Sequence, residues 1–194
     1  MKINEIFYSL QGEGFHTGTP AVFVRFSGCN LRCPFCDTDH HQAREMSPQE
    51  ILAEAGRYPS RHVVFTGGEP ALQLNTELLD LFHSAGYYIQ IETNGTLPVP
   101  CGSINWITCS PKFEFTAAPA PLKIQRIDEL KVVFDGRNNM SLYDAIVCRH
   151  YSLQPCDTRD TDRNAAITAA AIDYCLRNPR WRLSLQTHKL LSIQ

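Results

Sequence analysis

No apolar run in the 194 residues approaches the length of a membrane span, and the opening MKINEIFYSLQGEGF has no hydrophobic segment behind a basic start. A cytoplasmic location is expected. Charge is also nearly absent as a signal: 18 Lys and Arg against 20 Asp and Glu leave a formal net charge of -2, which speaks against a broad nucleic-acid or membrane surface. No internal repeat, low-complexity tract or interdomain linker interrupts the chain. With 43% hydrophobic residues, it suits one domain, residues 1–194, with a substantial core. Also missing is a fourth metal ligand near a dense group of three cysteines.

Those three, Cys29, Cys33 and Cys36, fall in FSGCNLRCPFCDT (residues 26–38), spaced C-x3-C-x2-C. Thiolates this close repel one another unless a metal centre shares their charge, and Gly28, Asn30 and Pro34 suit a loop that curls around one. A closed zinc site wants four ligands, often as paired C-x2-C knuckles, and no Cys or His at matching spacing completes such a set. Three cysteines without a fourth suit an iron-sulfur cluster with one iron open to a small molecule. Disulfides or a degenerate zinc knuckle are the alternatives at this stage. Of the other cysteines, Cys101, Cys109, Cys148 and Cys175 lack mutual ligand spacing and read as buried free thiols.

Periodicity organises the remainder. Residues 1–8 alternate loosely as a strand, followed by the glycine-rich SLQGEGFHTGTP, which cannot be helical but whose amides can approach a polar ligand. Residues 21–26 (AVFVRF) form a strand interrupted by Arg25, a charge that needs an anionic partner, either a ligand carboxylate or a structural Asp or Glu. Ser47-Pro48-Gln49-Glu50 has the marks of a helix start, with the helix running to about Arg57. Strands are expected at 62–66, 87–92, 105–109, 129–134, 151–154 and 181–186. Helices are expected from Asn75 to near Gly86, over 140–149, and from Asp162 through Leu176, where Asn178 and Pro179 stop it. Alternating strands and helices signal a parallel sheet with crossovers. FSGC, TGGEP, ETNG, CSPK and LQPCD each follow a predicted strand, and in parallel α/β sheets and barrels that carboxyl edge gathers the ligand site.

C-x3-C-x2-C with Phe35 before the last cysteine resembles the signature of the radical S-adenosylmethionine (SAM) superfamily. That resemblance implies a 4Fe-4S cluster on Cys29, Cys33 and Cys36 whose open iron chelates SAM. One electron then yields a 5'-deoxyadenosyl radical. The implied fold is α/β, a partial, trimmed TIM-type barrel of parallel strands. SLQGEG, VRFSGCNLRCPFCDT, TGGEP, ETNG, SPK, LQPCD and the terminal LQTHK together resemble the 7-carboxy-7-deazaguanine synthase family. Its members are lyases of queuosine and deazapurine biosynthesis. They contract 6-carboxy-5,6,7,8-tetrahydropterin to 7-carboxy-7-deazaguanine with loss of ammonia, using SAM as a recycled cofactor together with Mg2+.

Carried over motif by motif, the resemblance implies SAM contacts at Phe35, Cys36, Asp37, Gly67, Gly68, Glu69, Gly95, Ser110, Pro111, Lys112, Gln154, Pro155, Cys156 and Asp157. It implies substrate contacts at Leu10, Gln11, Gly12, Arg25, Thr93 and Gln194, with His188 also in reach, and Mg2+ on Thr38. His40 and His41 read as solvent-facing or as supports behind the cluster loop. A flavodoxin or ferredoxin-type electron donor and a homodimer are implied as partners. Two rivals stand beside this reading. A radical SAM activating enzyme that abstracts hydrogen from a partner protein leaves SLQGEG and QTHK unexplained, and a non-catalytic zinc module predicts basic patches that the near-neutral charge does not supply.

Overall fold

A computed structural model of the chain describes residues 1–36, 43–100, 102–117 and 119–194. Asp37, Thr38, His40, His41 and Cys101 lie outside the described residues. The described residues form one nine-stranded sheet. Its strands are β1 (Lys2–Leu10), β2 (Pro20–Phe26), β3 (Arg44–Glu45), β4 (His62–Gly67), β5 (Tyr88–Thr93), β6 (Trp106–Cys109), β7 (Glu129–Phe134), β8 (His150–Pro155) and β9 (Trp181–Leu183), in the spatial order β3-β1-β2-β4-β5-β6-β7-β8-β9. From β2 to β9 every pairing is parallel, whereas β1 and β3 add antiparallel strands at one edge. The sheet is an open run rather than a closed ring, in keeping with a trimmed barrel.

Crossovers explain the trimming. Helices α1 (Pro48–Ala55) and α2 (Thr76–Ser84) connect β2 to β4 and β4 to β5, and α4 (Thr161–Arg177) connects β8 to β9. Among the described residues only loops run between β5 and β6 and between β6 and β7, and α3 (Ser141–Asp144) is a single turn where 140–149 was expected to be helical. α1 starts as its sequence predicts: Ser47 Oγ accepts from the Glu50 N–H while the Glu50 carboxylate accepts from the Ser47 N–H, with Pro48 at the first helical position. Asn75 caps α2 through the Leu78 N–H. α4 begins earlier than expected, because Asp160 rather than Asp162 accepts from the Arg163 N–H; it stops at Asn178 as predicted. β9 ends at Leu183 rather than at Gln186, and the QTHK segment leads into a short helix, α5 (Thr187–Leu191), where no element was expected.

Strand alternation sorts the side chains. On one face, Val22, Val24 and Phe26 of β2, Val63 and Phe65 of β4, and Ile89 and Ile91 of β5 form a core with Leu78, Leu79 and Phe82 of α2. Leu130, Val132, Phe134 and Leu153 form a second core with Ile167 and Ala171 of α4. The other face is the lumen, and the alternate residues point there: Phe23 and Arg25, Val64 and Thr66, Lys131 and Val133, and Gln154 all line one cavity. The β1–β2 connection closes the amino-terminal rim of the strands. There Phe15 stacks on Trp106 at 4.8 Å between ring centroids, and His16 meets the edges of His62, Tyr88 and Trp106. The buried Glu129 carboxylate accepts from the Phe15 N–H at 3.0 Å and anchors that plug to β7.

Candidate active site

The cavity in the lumen has a volume of about 290 Å³ and is walled by the loops that follow the strands. Cys29, Cys33, Phe35 and Cys36 form one wall, with Gly67, Gly68, Asn94, Ser110 and Asp157 around it. All three cysteines are free. Burial pushes the Cys29 and Cys33 thiols above their ordinary range, and the Cys36 sulfur adds to the rise in both. They become thiolates only against a cation. Among the described residues no three His, Cys, Asp or Glu side chains are grouped as they would be around a single metal ion. Three free thiols on one cavity wall suit an iron-sulfur cluster held at three irons and facing the lumen.

The cysteine loop is held from behind. Asn30 Nδ2 donates to Thr96 Oγ1 at 2.8 Å, and Asn30 Oδ1 accepts from Asn94 Nδ2 at 3.0 Å. The Gly68 N–H donates to the Phe26 carbonyl, and the Glu69 N–H to that of Gly28. Gly67 must be glycine: its φ is +116° and a Cβ would lie 2.2 Å from the Phe26 carbonyl oxygen. Glu69 is fully buried and stands behind the cavity wall. Its carboxylate accepts from Thr93 Oγ1 at 2.7 Å, the Asn94 N–H at 2.8 Å and the Ala71 N–H at 3.0 Å. Burial pushes its pKa upward, and those donors pull the other way. FSGC, GGEP and ETNG, three motifs distant in sequence, are thus one hydrogen-bonded unit.

Most of the expected contacts line the cavity: Leu10, Gln11, Gly12, Arg25, Phe35, Cys36, Gly67, Gly68, Thr93, Ser110, Lys112, Gln154, Pro155, Cys156, Asp157, His188 and Gln194. Glu69, Gly95 and Pro111 do not. Gly95, at φ +77°, faces Cys109 Sγ, and its carbonyl accepts from the Lys123 and Ile124 N–H groups. Arg25 has found a structural partner, as its Nε donates to Glu5 Oε1 at 2.7 Å. Gln194 Nε2 donates to the other oxygen of the same carboxylate at 2.8 Å, which brings the final residue to the Arg25 side of the lumen. Lys112 Nζ donates to both Ser110 oxygens at 2.6 Å, and burial lowers its pKa. Asp157 is held well below the usual carboxylate range by the Lys189 ammonium at 2.7 Å and by the Arg159 N–H and Asn164 amide, so it anchors α5 at the cavity mouth.

Cys109 is a buried thiol as expected, pushed up to about 12 by burial, whereas Cys148 and Cys175 are only half-buried. The sequence reading missed Glu13, Glu92 and Lys131, which also line the cavity. A signal existed: Lys131 and Glu92 sit at lumen-facing positions of the apolar strands ELKVVF and YIQIET, as Arg25 does in β2.

A radical SAM superfamily model matches residues 23–101. An open parallel sheet whose carboxyl edge carries a three-cysteine loop against a glycine pair defines this class, and the chain is a radical SAM protein. Over its full length it is 53% identical to the 7-carboxy-7-deazaguanine synthase of Bacteroides thetaiotaomicron, covering 98% of that protein. It is 44% identical to the enzyme of the same name from Burkholderia multivorans, with 98% of each chain covered. The crystal structure of QueE from Escherichia coli superposes with a TM-score of 0.78 at 33% identity, covering 95% of this chain and 92% of that one. The chain belongs to the 7-carboxy-7-deazaguanine synthase family.

Proposed function

We propose that this chain converts 6-carboxy-5,6,7,8-tetrahydropterin to 7-carboxy-7-deazaguanine with loss of ammonia, as a SAM- and Mg2+-dependent lyase on the way to queuosine or another deazapurine. The observation that carries the reading is the 53% identity to a named synthase across the whole chain. Support comes from the single cavity that gathers SLQGEG, the cysteine loop, the glycine pair, SPK, LQPCD and QTHK.

Cys29, Cys33 and Cys36 would hold a 4Fe-4S cluster, which together with SAM and one electron supplies hydrogen abstraction when bound. The protein's own task is then to place and shield. Phe35, Cys36, Gly67, Gly68, Ser110, Lys112 and the 154–157 segment would line the SAM site, with Glu69 fixing the geometry of two of its loops. Gly95 and Pro111 would act through the backbone of the same loops, and Asp37 completes the set. Leu10, Gln11 and Gly12 would meet the pterin through backbone groups, with Thr93 and His188 beside them. Arg25, already half-neutralised by Glu5, would attract the substrate carboxylate, and Gln194 closes that side. Thr38 would ligate Mg2+, a cation that accepts a single protein ligand alongside water and substrate oxygens.

Residues 1–194 would act as one domain in the cytoplasm, as a homodimer, with electrons from a flavodoxin or ferredoxin. Anaerobic reconstitution with iron and sulfide tests the reading. A brown protein that consumes the carboxytetrahydropterin and releases the deazaguanine supports it. One that cleaves SAM without touching the pterin points to an activating enzyme, and a colourless zinc protein sinks both.

A further inference from the structure

A line of hydrogen bonds crosses the lumen from the plugged rim to the mouth. At its lower end His62 Nε2 lies 2.9 Å from Gln90 Oε1, and Gln90 Nε2 donates to Glu92 Oε1 at 2.7 Å. Lys131 Nζ then bridges Glu92 Oε2 at 2.8 Å and Glu13 Oε2 at 2.6 Å. At the upper end Glu13 Oε1 accepts from Gln186 Nε2 at 2.8 Å, and Gln186 is the residue immediately before α5. β4, β5, β7, the β1–β2 loop and α5 are thus joined by one chain of side chains.

The protons along this line have one arrangement. The Glu92 carboxylate accepts on both oxygens, so the Gln90 amide presents its NH2 to Glu92 and its oxygen to His62, and the His62 proton therefore sits on Nε2. Burial, which lowers the His62 pKa to about 4, keeps that imidazole neutral. Burial also opposes the Lys131 ammonium, but the Glu13 and Glu92 charges outweigh it and raise its pKa, so the bridge stays charged. All four carboxylate oxygens are already partnered inside the protein. The group holds the protein's own parts.

Gln90 is 1% exposed and lies beneath the cavity wall, whereas Glu92, Glu13 and Gln186 line the cavity. Gln11 joins from the side: its Nε2 donates to Glu92 Oε1 at 3.4 Å, and its Oε1 accepts from the Glu13 N–H at 3.2 Å. α5 has five residues, too few to be stable by itself, so its place depends on such anchors. Stability alone is a poor reason to bury them, since a buried ion group is commonly no better than apolar residues of equal volume.

We infer that Gln90, oriented by His62, is a positioning residue for the reaction: through Glu92, Lys131 and Glu13 it fixes where α5 sits over the cavity mouth and how residues 11–13 enter the lumen. Its effect on turnover rests on the pterin reading above, and its effect on α5 does not. Members of such a network act as a unit, and a double-mutant cycle measures that directly.

The test is hydrogen exchange by mass spectrometry on the reconstituted holoenzyme, read at residues 186–194, where the Thr187, Lys189 and Ile193 N–H groups are bonded. Q90L should speed exchange there about tenfold, the scale of one charge-assisted hydrogen bond lost from an anchor, while α1 and α2 exchange as in the wild type. Q186L should do the same, and Q90L/Q186L should be no faster than either alone. K189Q cuts a separate fastener, the Lys189–Asp157 pair, so its effect should multiply with that of Q90L. At the lower end H62L should loosen α5, whereas H62Q, whose amide can donate to the same Gln90 oxygen, should not. These two carry the test if a thermal melt shows Q90L unfolded. In turnover, Q90L should raise the KM for the carboxytetrahydropterin about tenfold with the KM for SAM unchanged. Exchange at α5 that is indifferent to Q90L and H62L, or effects of Q90L and Q186L that multiply, overturns the inference. A wild type that consumes no pterin, while its variants exchange as expected, overturns the pterin reading and leaves the placement of α5 by Gln90 standing.

Discussion

Gly12 and His188 are in face-to-face contact across the lumen, so close that a Cβ on Gly12 would lie 2.2 Å from His188 Nδ1 and 3.0 Å from its Cβ. Two more bonds fasten the same place, since both the N–H and the Oγ1 of Thr187 donate to the Gly12 carbonyl at 2.9 Å. The first loop of the chain and its last helix thus close the cavity together. A methyl at Gly12 cannot be absorbed by a small rotation, because the imidazole is blocked along its length. Gly12→Ala should displace α5 and cut kcat/KM by about tenfold or more, the scale of a reacting geometry misplaced by a fraction of an ångström to an ångström. Steady-state kinetics beside iron analysis checks this, with cluster content expected to stay normal.

Removing any one of Cys29, Cys33 and Cys36 should abolish cluster retention without unfolding the chain. The three lie on a wall loop, while the two apolar cores sit on the opposite face of the sheet. Each Cys→Ala variant should therefore lose the brown chromophore and its iron yet keep the wild-type circular dichroism spectrum. Cys148→Ala, at a half-buried thiol remote from the loop in sequence, should keep both.

Glu69→Ala should be costly for the fold. It strips a fully buried acceptor from Thr93 Oγ1 and from the Asn94 and Ala71 N–H groups. Orphaned buried donors cost about 1–3 kcal/mol each. A total near 3 kcal/mol corresponds to a fall in Tm of roughly 6–12 °C for a chain of this size. Glu69→Gln, which keeps one good acceptor oxygen, should lose less. Differential scanning fluorimetry of the two variants decides it.

Acid should loosen the plugged rim of the barrel. His62 is buried with its Nε2 2.9 Å from Gln90 Oε1, and burial lowers its pKa to about 4, with His16 lowered beside it for the same reason. Between pH 6.5 and 4 the unfolded chain binds a proton at this site that the folded chain refuses, so stability falls as pH drops through that window and is unaffected above it. At about 1.4 kcal/mol per pKa unit, discounted for partial screening, the loss is roughly 2 kcal/mol. His62→Gln should flatten the slope of denaturation midpoint against pH over the same window.

The strands were legible because alternation writes them plainly: 129–134 was bounded to the residue, and the five loops did fall at the carboxyl edge. The caps at Ser47 and Asn75 were equally readable, being local. What could not be read was decided at long range. QTHK forms a helix because the Gly12 carbonyl and Asp157 hold it in place, not because five residues favour one. Arg25 called for an anionic partner, ligand or structural, but nothing in AVFVRF announces that one is Glu5 on the neighbouring antiparallel strand. Lys131 was hidden by its own strand. Counting which positions of ELKVVF face inward would have found it, but that requires knowing that the inner face is a lumen and the outer one a core.

The most direct measurement is product formed per SAM supplied, in an anaerobic reaction with reconstituted protein, Mg2+, a chemical reductant and excess 6-carboxy-5,6,7,8-tetrahydropterin. Deazaguanine product exceeding the SAM several-fold, with none from the Cys36→Ala protein, is the predicted result. SAM destroyed without any deazaguanine, or product made equally well by the cysteine variant, would contradict the account.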